Sequence, residues 1–125
     1  MITTYRDIQL IIRDQDSYLA IACDVSAAIG NKEHDVVRVN QDIVGYYAAA
    51  VPIIELLAIG AVPISVIDTL GVEMYPSGLE VIKGIHRAMS EGHINTNCLT
   101  GSTEDNMPTV STCVGITVIG ELEID

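Results

Sequence analysis

Asp24 closes an apolar run, Tyr18 to Cys23, and opens the segment Asp24-Val25-Ser26-Ala27-Ala28-Ile29-Gly30-Asn31-Lys32. A carboxylate at a strand end, followed by small residues and a lysine, has the makings of a divalent-cation ligand with a loop that folds over phosphates. An aspartate that only makes a turn looks the same in sequence. A second stretch, Thr100-Gly101-Ser102-Thr103-Glu104-Asp105-Asn106, offers similar chemistry. Gly101 permits close backbone approach, and Ser102, Thr103 and Asn106 can meet phosphate oxygens. Glu104 and Asp105 are oxygen ligands of the kind magnesium takes. No GxxxxGK[ST] phosphate loop occurs in the chain, and a polar turn rich in hydroxyls would need these same residues with no ligand at all.

Two further carboxylates lie in apolar surroundings. Glu55 falls among Ile53, Ile54, Leu56 and Leu57, and Asp68 lies inside Ile64-Ser65-Val66-Ile67-Asp68-Thr69-Leu70. A buried carboxylate needs a cation or a hydrogen bond, whereas a small rotation of the helix exposes Glu55 instead. A strand covered on both sides leaves Asp68 no such escape. His34, His86 and His93 show no ligand spacing, and no Ser/His/Asp or Cys/His set is legible.

These residues must be placed by the elements between them. Ile8 to Ile12 and Tyr18 to Cys23 read as strands around a polar turn, residues 24 to 35 as a loop, and Val36 to Val39 as a short strand. Asn40 is a suitable N-cap for a helix that ends at Gly60, with Asp42 in its first turn. Ile43, Tyr47, Ala50, Ile54 and Leu57 recur at helical spacing and predict its buried stripe. Pro63 to Val72 reads as an interior strand. A second helix is expected from Pro76 or Ser77 to Gly92, with Leu79, Ile82, Ile85 and Met89 inward. Strands at Asn97 to Thr100 and Val110 to Glu121 complete the order β-β-β-α-β-α-β-β. The expected class is α+β, a mixed and mainly antiparallel sheet with two helices on one face. The uncovered sheet face then calls for a partner, and a homodimer is the expectation.

The chain has 125 residues, enough for one domain but small for an enzyme with two substrates. Without Trp or Phe, the core must be aliphatic. A formal charge of −11, from 17 acidic and 6 basic residues, argues against nucleic acid or an anionic membrane as the main partner. It leaves room for a small phosphorylated ligand bridged by a cation. Cys23, Cys98 and Cys113 form no metal motif and lie in apolar runs, where free cysteines are expected to be buried, and a reducing cytoplasmic setting follows from that usage. The N-terminus lacks the shape of a signal peptide. Glu55, Asp68 and Glu73 interrupt the best apolar stretch, so no run of the ~18–20 residues that cross a bilayer is expected.

Glu55-Leu56-Leu57-Ala58-Ile59-Gly60-Ala61-Val62-Pro63 resembles the helix-to-strand stretch D-[IL]-A-A-M-G-A-x-P of the aminoimidazole ribonucleotide (AIR) synthase superfamily. The order of Asp24 to Lys32, this stretch, and Thr100 to Asp105 resembles that superfamily's N-terminal domain over essentially the whole chain. Cys23-Asp24-Val25-Ser26, Asp35-Val36-Val37, Val44-Gly45-Tyr46-Tyr47 and the 100–106 segment are most similar to its AIR synthase-related branch, associated with α-ribazole kinase of cobalamin salvage. The resemblance implies ATP and Mg²⁺ as cofactors. It gives Asp24, Glu55, Glu104 and Asp105 as metal ligands, and Lys32, Asp68, Gly101, Ser102, Thr103 and Asn106 on the nucleotide. It also implies that N-terminal domains pair through their sheets into a closed β-barrel, and that a C-terminal domain, not in this sequence, completes the site. AIR synthase-like and thiamin-monophosphate kinase-like activities are the alternatives within the superfamily. Three departures from the pattern, Ala27-Ala28 for glycine, Glu55 for aspartate and Ser102 for the metal-binding aspartate, fit a non-catalytic nucleotide-binding or dimerisation module instead.

Overall fold

The structure, a computed structural model, describes residues 1–123. Twelve short segments follow from the pattern of the chain. They are β1 (Ile2–Tyr5), β2 (Ile8–Ile12), β3 (Ser17–Ala27), β4 (Ile29–Gly30), β5 (Val37–Arg38), α1 (Gln41–Ala58), β6 (Val62–Leu70), a wide turn at Met74–Gly78, α2 (Leu79–Glu91), a 3-10 turn at Thr96–Cys98, β7 (Leu99–Thr103) and β8 (Cys113–Glu123). Six strands form one sheet in the order β1-β2-β3-β8-β6-β7, antiparallel throughout except for the parallel pair β6–β7. The α+β class and the mainly antiparallel sheet are therefore as expected from the sequence. The sheet is open, with β1 and β7 as its edges.

Helix α1 packs on one face of that sheet, against β3, β8 and β6, and α2 packs against α1. The side chains beneath them alternate along each strand, as a half-covered sheet requires. Ala20 and Ala22 of β3, Val66 and Leu70 of β6, and Val114, Ile116 and Val118 of β8 are all buried. Gly120 and Leu56 meet where the lower end of α1 rests on β8.

Which stripe of α1 faces the sheet differs from the sequence expectation. Val44, Gly45, Ala48, Ala49, Pro52, Ile53 and Leu56 are buried, while Ile43, Tyr47, Ile54 and Leu57 are exposed. The reason is the tight crossing with α2. A Cβ on Gly45 would overlap the carbonyl oxygen of Val81, and one on Gly84 would overlap that of Asp42. Helices this close need small residues at the contact, so the small stripe turns inward and the bulky one outward. On α2, Ile85 and Met89 are buried as expected, but Val81, Gly84 and Ala88 replace Leu79 and Ile82 as the rest of the inner face.

Helix ends follow the sequence signals in part. Asn40 is the N-cap of α1, although its side chain makes no capping bond, and Gly60 ends the helix at φ +86°. Leu79, not Pro76 or Ser77, opens α2, because the preceding residues form the wide turn. The segment expected as a loop after Asp24 continues as strand to Ala27. Gly101, Ser102 and Thr103 likewise stand in β7, paired to Asp68, Thr69 and Leu70. Cys23 and Cys113 are exposed and Cys98 is half-buried, contrary to the buried cysteines expected, because the first two lie on the uncovered face of the sheet. At 18 residues and mean hydropathy 1.2, α1 is long and apolar enough to cross a bilayer, which the interruption by Glu55 was expected to prevent. Its inner stripe is packed as that of a core helix.

Candidate functional site

Strand register gathers most of the chemistry-bearing residues at one end of the sheet. Asp24 on β3 and Asp68 on β6 are both opposite Ile116 of β8, and Asp68 is opposite Gly101 of β7. Residues directly opposite share a face, so Asp24, Ile116 and Asp68 point to the helix side. Two inter-strand spacings put the two carboxylates roughly 10 Å apart. The next row toward the same end is Ser26, Val114, Leu70 and Thr103. The loops 28–40 and 104–112 join these strand ends.

Asp68 is buried, at 4% exposure, and none of its oxygens has a hydrogen-bond partner among the described residues. Burial alone pushes its carboxyl up to about 6. Its side chain leans over Gly101, where an added Cβ would overlap both the carboxyl and the backbone oxygen of Asp68. Glycine is required there by space. The result is a protected carboxyl beside a bare stretch of backbone.

Lys32 does not project freely toward solvent. Its ammonium is paired with Glu73 and donates to the carbonyl of Thr109 at 3.2 Å. Glu73 also accepts from the Ser77 amide at 2.9 Å. Burial raises the Glu73 carboxyl, but the hydrogen bonds from Lys32 and Ser77 outweigh it and hold the group at about 2. Behind this pair lies a buried polar knot. Asp35 accepts from the amide of Thr112 at 2.7 Å, from its hydroxyl at 2.6 Å and from the amide of Lys32 at 2.9 Å, while Gln41 donates to the Thr112 hydroxyl at 3.0 Å. Burial works against ionised Asp35, yet these bonds and nearby Arg38 hold its carboxyl below the usual range. Glu73, Thr112 and Gln41 were not singled out as site residues by sequence reasoning, and Asp35 entered only within the Asp35-Val36-Val37 motif. The Lys32–Glu73, Gln41–Thr112 and Asp35–Thr112 contacts span 41 to 77 residues, and the folded strand ends bring them together.

The remaining candidates divide. Glu104 accepts from the amides of Asn106 and Met107, at 2.7 and 3.1 Å, and Asp105 accepts from the Met74 amide at 2.7 Å. Each thus uses one oxygen to brace a turn. Glu104 and Asp105 follow β7, three strands across from β3, about 14 Å by strand spacing. Glu55 lies on α1 one turn beyond Val51 and outside the groove that Asp24 lines. Among the described residues, no three of His, Cys, Asp and Glu stand close enough to hold one metal ion together. The set Asp24, Glu55, Glu104 and Asp105 is therefore not brought to a single point. Glu55 precedes Leu56, which rests on Gly120 toward the opposite end of the sheet from Asp24, whereas Asp68 and Gly101 are register partners on β6 and β7.

Beside Asp24 runs a groove of about 580 Å³ between α1 and the end of β3. Its walls are apolar and include the outward stripe of α1.

Comparison with known proteins bears on the fold. No curated protein matches the sequence. Among solved structures, AaThiL complexed with AMPPCP and TMP is similar at TM-score 0.68 and 16% identity, over 94% of this chain and 36% of that one. Thiamine-monophosphate kinase from Stenotrophomonas maltophilia K279a is similar at TM-score 0.65 and 19% identity, over 98% and 37%. T. maritima PurL complexed with ADP is similar at 0.59 and 12%, over 94% and 20%. These likenesses establish the fold, and the chain spans between a fifth and about two fifths of those proteins' lengths. The family model described as AIR synthase related protein, N-terminal domain, matches residues 6–122, and the chain belongs to that family.

Proposed function

We propose that this chain is the nucleotide-binding domain of an ATP-dependent enzyme that phosphorylates a small molecule, with α-ribazole as the preferred acceptor. The observation that carries the reading is the row Asp24–Ile116–Asp68–Gly101, which sets oxygen donors and side-chain-free backbone at the strand ends of a family fold. Similar structures bear AMPPCP or ADP.

A magnesium–nucleotide complex fits these residues in chemical kind. The donors are all oxygens, and Asp68 is an unpartnered carboxyl beside the bare backbone of Gly101. Asp24 would hold the metal. Gly101, Ser102, Thr103 and Asn106 would meet phosphate oxygens, and Glu104 and Asp105 would brace that segment or add a ligand. Lys32 would reach the phosphates by exchanging Glu73 for them. Magnesium would supply neutralisation of phosphate charge, and the protein would supply position.

The open sheet bears on assembly. Leu19, Ile21, Ile67 and Ile119 line the face away from the helices and are only half-buried. We place a second copy against that face, closing the two sheets into a barrel. Sedimentation should report a dimer, and a monodisperse monomer contradicts this.

The acceptor is tested by ADP release from MgATP in the native gene product, with α-ribazole or thiamin monophosphate present. Release dependent on α-ribazole is expected. Release with thiamin monophosphate alone moves the assignment to the other kinase. ATP binding without turnover favours a nucleotide-binding module, the reading that Ser102 and Ala27-Ala28 support.

A further inference from the structure

Lys32 is held by two loops other than its own. Its ammonium pairs with Glu73, which follows β6, and donates to the carbonyl of Thr109, in the loop ahead of β8. The lysine side chain is only 16% exposed, so this pairing covers most of its charge. Both partners are oxygens and one is anionic, the surroundings that a phosphate gives an ammonium. Glu73 therefore stands where a phosphate oxygen would have to bind.

The other cations are committed elsewhere. Arg13 pairs with Glu121, Lys83 with Glu80 and Arg87 with Asp42, while Arg6 lies over the ring of Tyr5. Arg38 turns back on the loop before it, donating to the carbonyls of Lys32 and Asn31 at 2.7 and 3.3 Å. An anion at this end of the sheet must take Lys32 from Glu73.

The surroundings of the pair allow that exchange. Glu73 keeps a second hold on its turn, because its other oxygen accepts from the Ser77 amide at 2.9 Å and its carbonyl accepts from the Gly78 amide at 2.8 Å. Asp105 braces the same turn through the Met74 amide at 2.7 Å. Departure of Lys32 thus leaves the turn ahead of α2 in place. The closed arrangement also carries a cost. The hydroxyl of Thr109, whose carbonyl Lys32 takes, is buried with no partner among the described residues, which native packing seldom tolerates.

We infer that Glu73 is an internal competitor of the nucleotide, a latch that holds Lys32 closed against the turn before α2 until a metal-bridged phosphate takes the lysine over. This rests on the nucleotide reading above and adds to it a device that sets affinity. Apparent affinity falls with the fraction of molecules in which Lys32 is free, so weakening the latch strengthens binding.

The test compares the native gene product with Glu73→Gln, Lys32→Gln and the double variant. Glutamine keeps the shape of the side chain and an oxygen for the Ser77 amide, and melting temperatures confirm that each protein is folded. Acylation of Lys32 by a succinimidyl ester without nucleotide, followed by mass spectrometry, should be at least about threefold faster in Glu73→Gln than in wild type. Calorimetric titration should show MgATP bound about threefold to tenfold more tightly by Glu73→Gln, even though that variant is less stable. With Lys32→Gln already present, Glu73→Gln should bring no such gain. Equal acylation rates overturn the latch. So does MgATP affinity that is unchanged or weaker in Glu73→Gln, or a gain that persists without Lys32 and so reflects only the loss of a negative charge. All three results leave the nucleotide reading standing. MgATP binding by none of the four proteins overturns both.

Discussion

Asp24 and Asp68 face each other across a single residue, Ile116, one on each flanking strand and both on the helix side of the sheet. Their environments differ sharply. Asp24 opens onto the groove beside α1, whereas Asp68 is buried with burial as the sole cause of its raised pKa. One is accessible to a ligand, and the other is held in a state that costs stability when ionised.

That cost gives a pH signature. The folded-state value for Asp68 is raised from 3.8 to about 6, so ionisation is disfavoured in the fold. The penalty is complete above about 6 and is relieved as pH falls through 6 toward 3.8. Asp68→Asn, which stays neutral, should be more stable than wild type by about 2 kcal/mol at pH 8 and no more stable near pH 4. Thermal melts across this range decide it. A gap that does not change with pH would show that Asp68 gains a partner in solution.

Glu73 behaves oppositely. Its folded-state value is lowered from 4.5 to about 2, so it stabilises the fold above 4.5, and that contribution is lost as pH falls toward 2. Glu73→Gln should be less stable than wild type at pH 7 by about 1–2 kcal/mol, allowing for the partial exposure of the Lys32 pair. The difference should vanish near pH 2. Equal stability at pH 7 would mean the ion pair contributes nothing in water.

The two stripes of α1 should respond differently to substitution. Ile53→Ala, on the buried side, should cost about 3 kcal/mol. Ile54→Lys, on the exposed side, should change stability by less than about 0.5 kcal/mol. Chemical denaturation of the two variants provides the comparison, and a reversal would place the sheet on the other face of the helix.

Gly84→Ala should destabilise by about 3 kcal/mol or prevent folding, since the added Cβ would overlap the backbone of Asp42 at the α1–α2 crossing. An alanine here that leaves the melting temperature unchanged would contradict so close an approach.

The sequence carried the order and type of the long elements because apolar periodicity, Gly60 and Gly92 mark them locally. It misplaced the inner face of α1, since Ile43, Tyr47, Ile54 and Leu57 repeat as regularly as Val44, Ala48 and Ile53. Only the Gly45 and Gly84 contacts decide between the two. Asp24 and Asp68 were visible as a carboxylate at a strand end and one inside an apolar run. Their common position opposite Ile116 was not, because register depends on β8, more than forty residues further on from Asp68. The loop from Gly101 shortened to Glu104–Asn106 because pairing with β6 extends β7 to Thr103. Glu73 gave no sequence signal of its role and Asp35 only its place in the Asp35-Val36-Val37 motif, because Glu73 meets Lys32 and Asp35 meets Thr112 across long stretches of chain.

Isothermal titration of MgATP into the wild-type chain and Asp24→Asn tests the nucleotide reading most directly. Wild type should bind, and Asp24→Asn should bind at least about tenfold more weakly with an unchanged melting temperature. Equal affinity in the two proteins would remove Asp24 from the site and contradict a metal-bridged triphosphate at this end of the sheet.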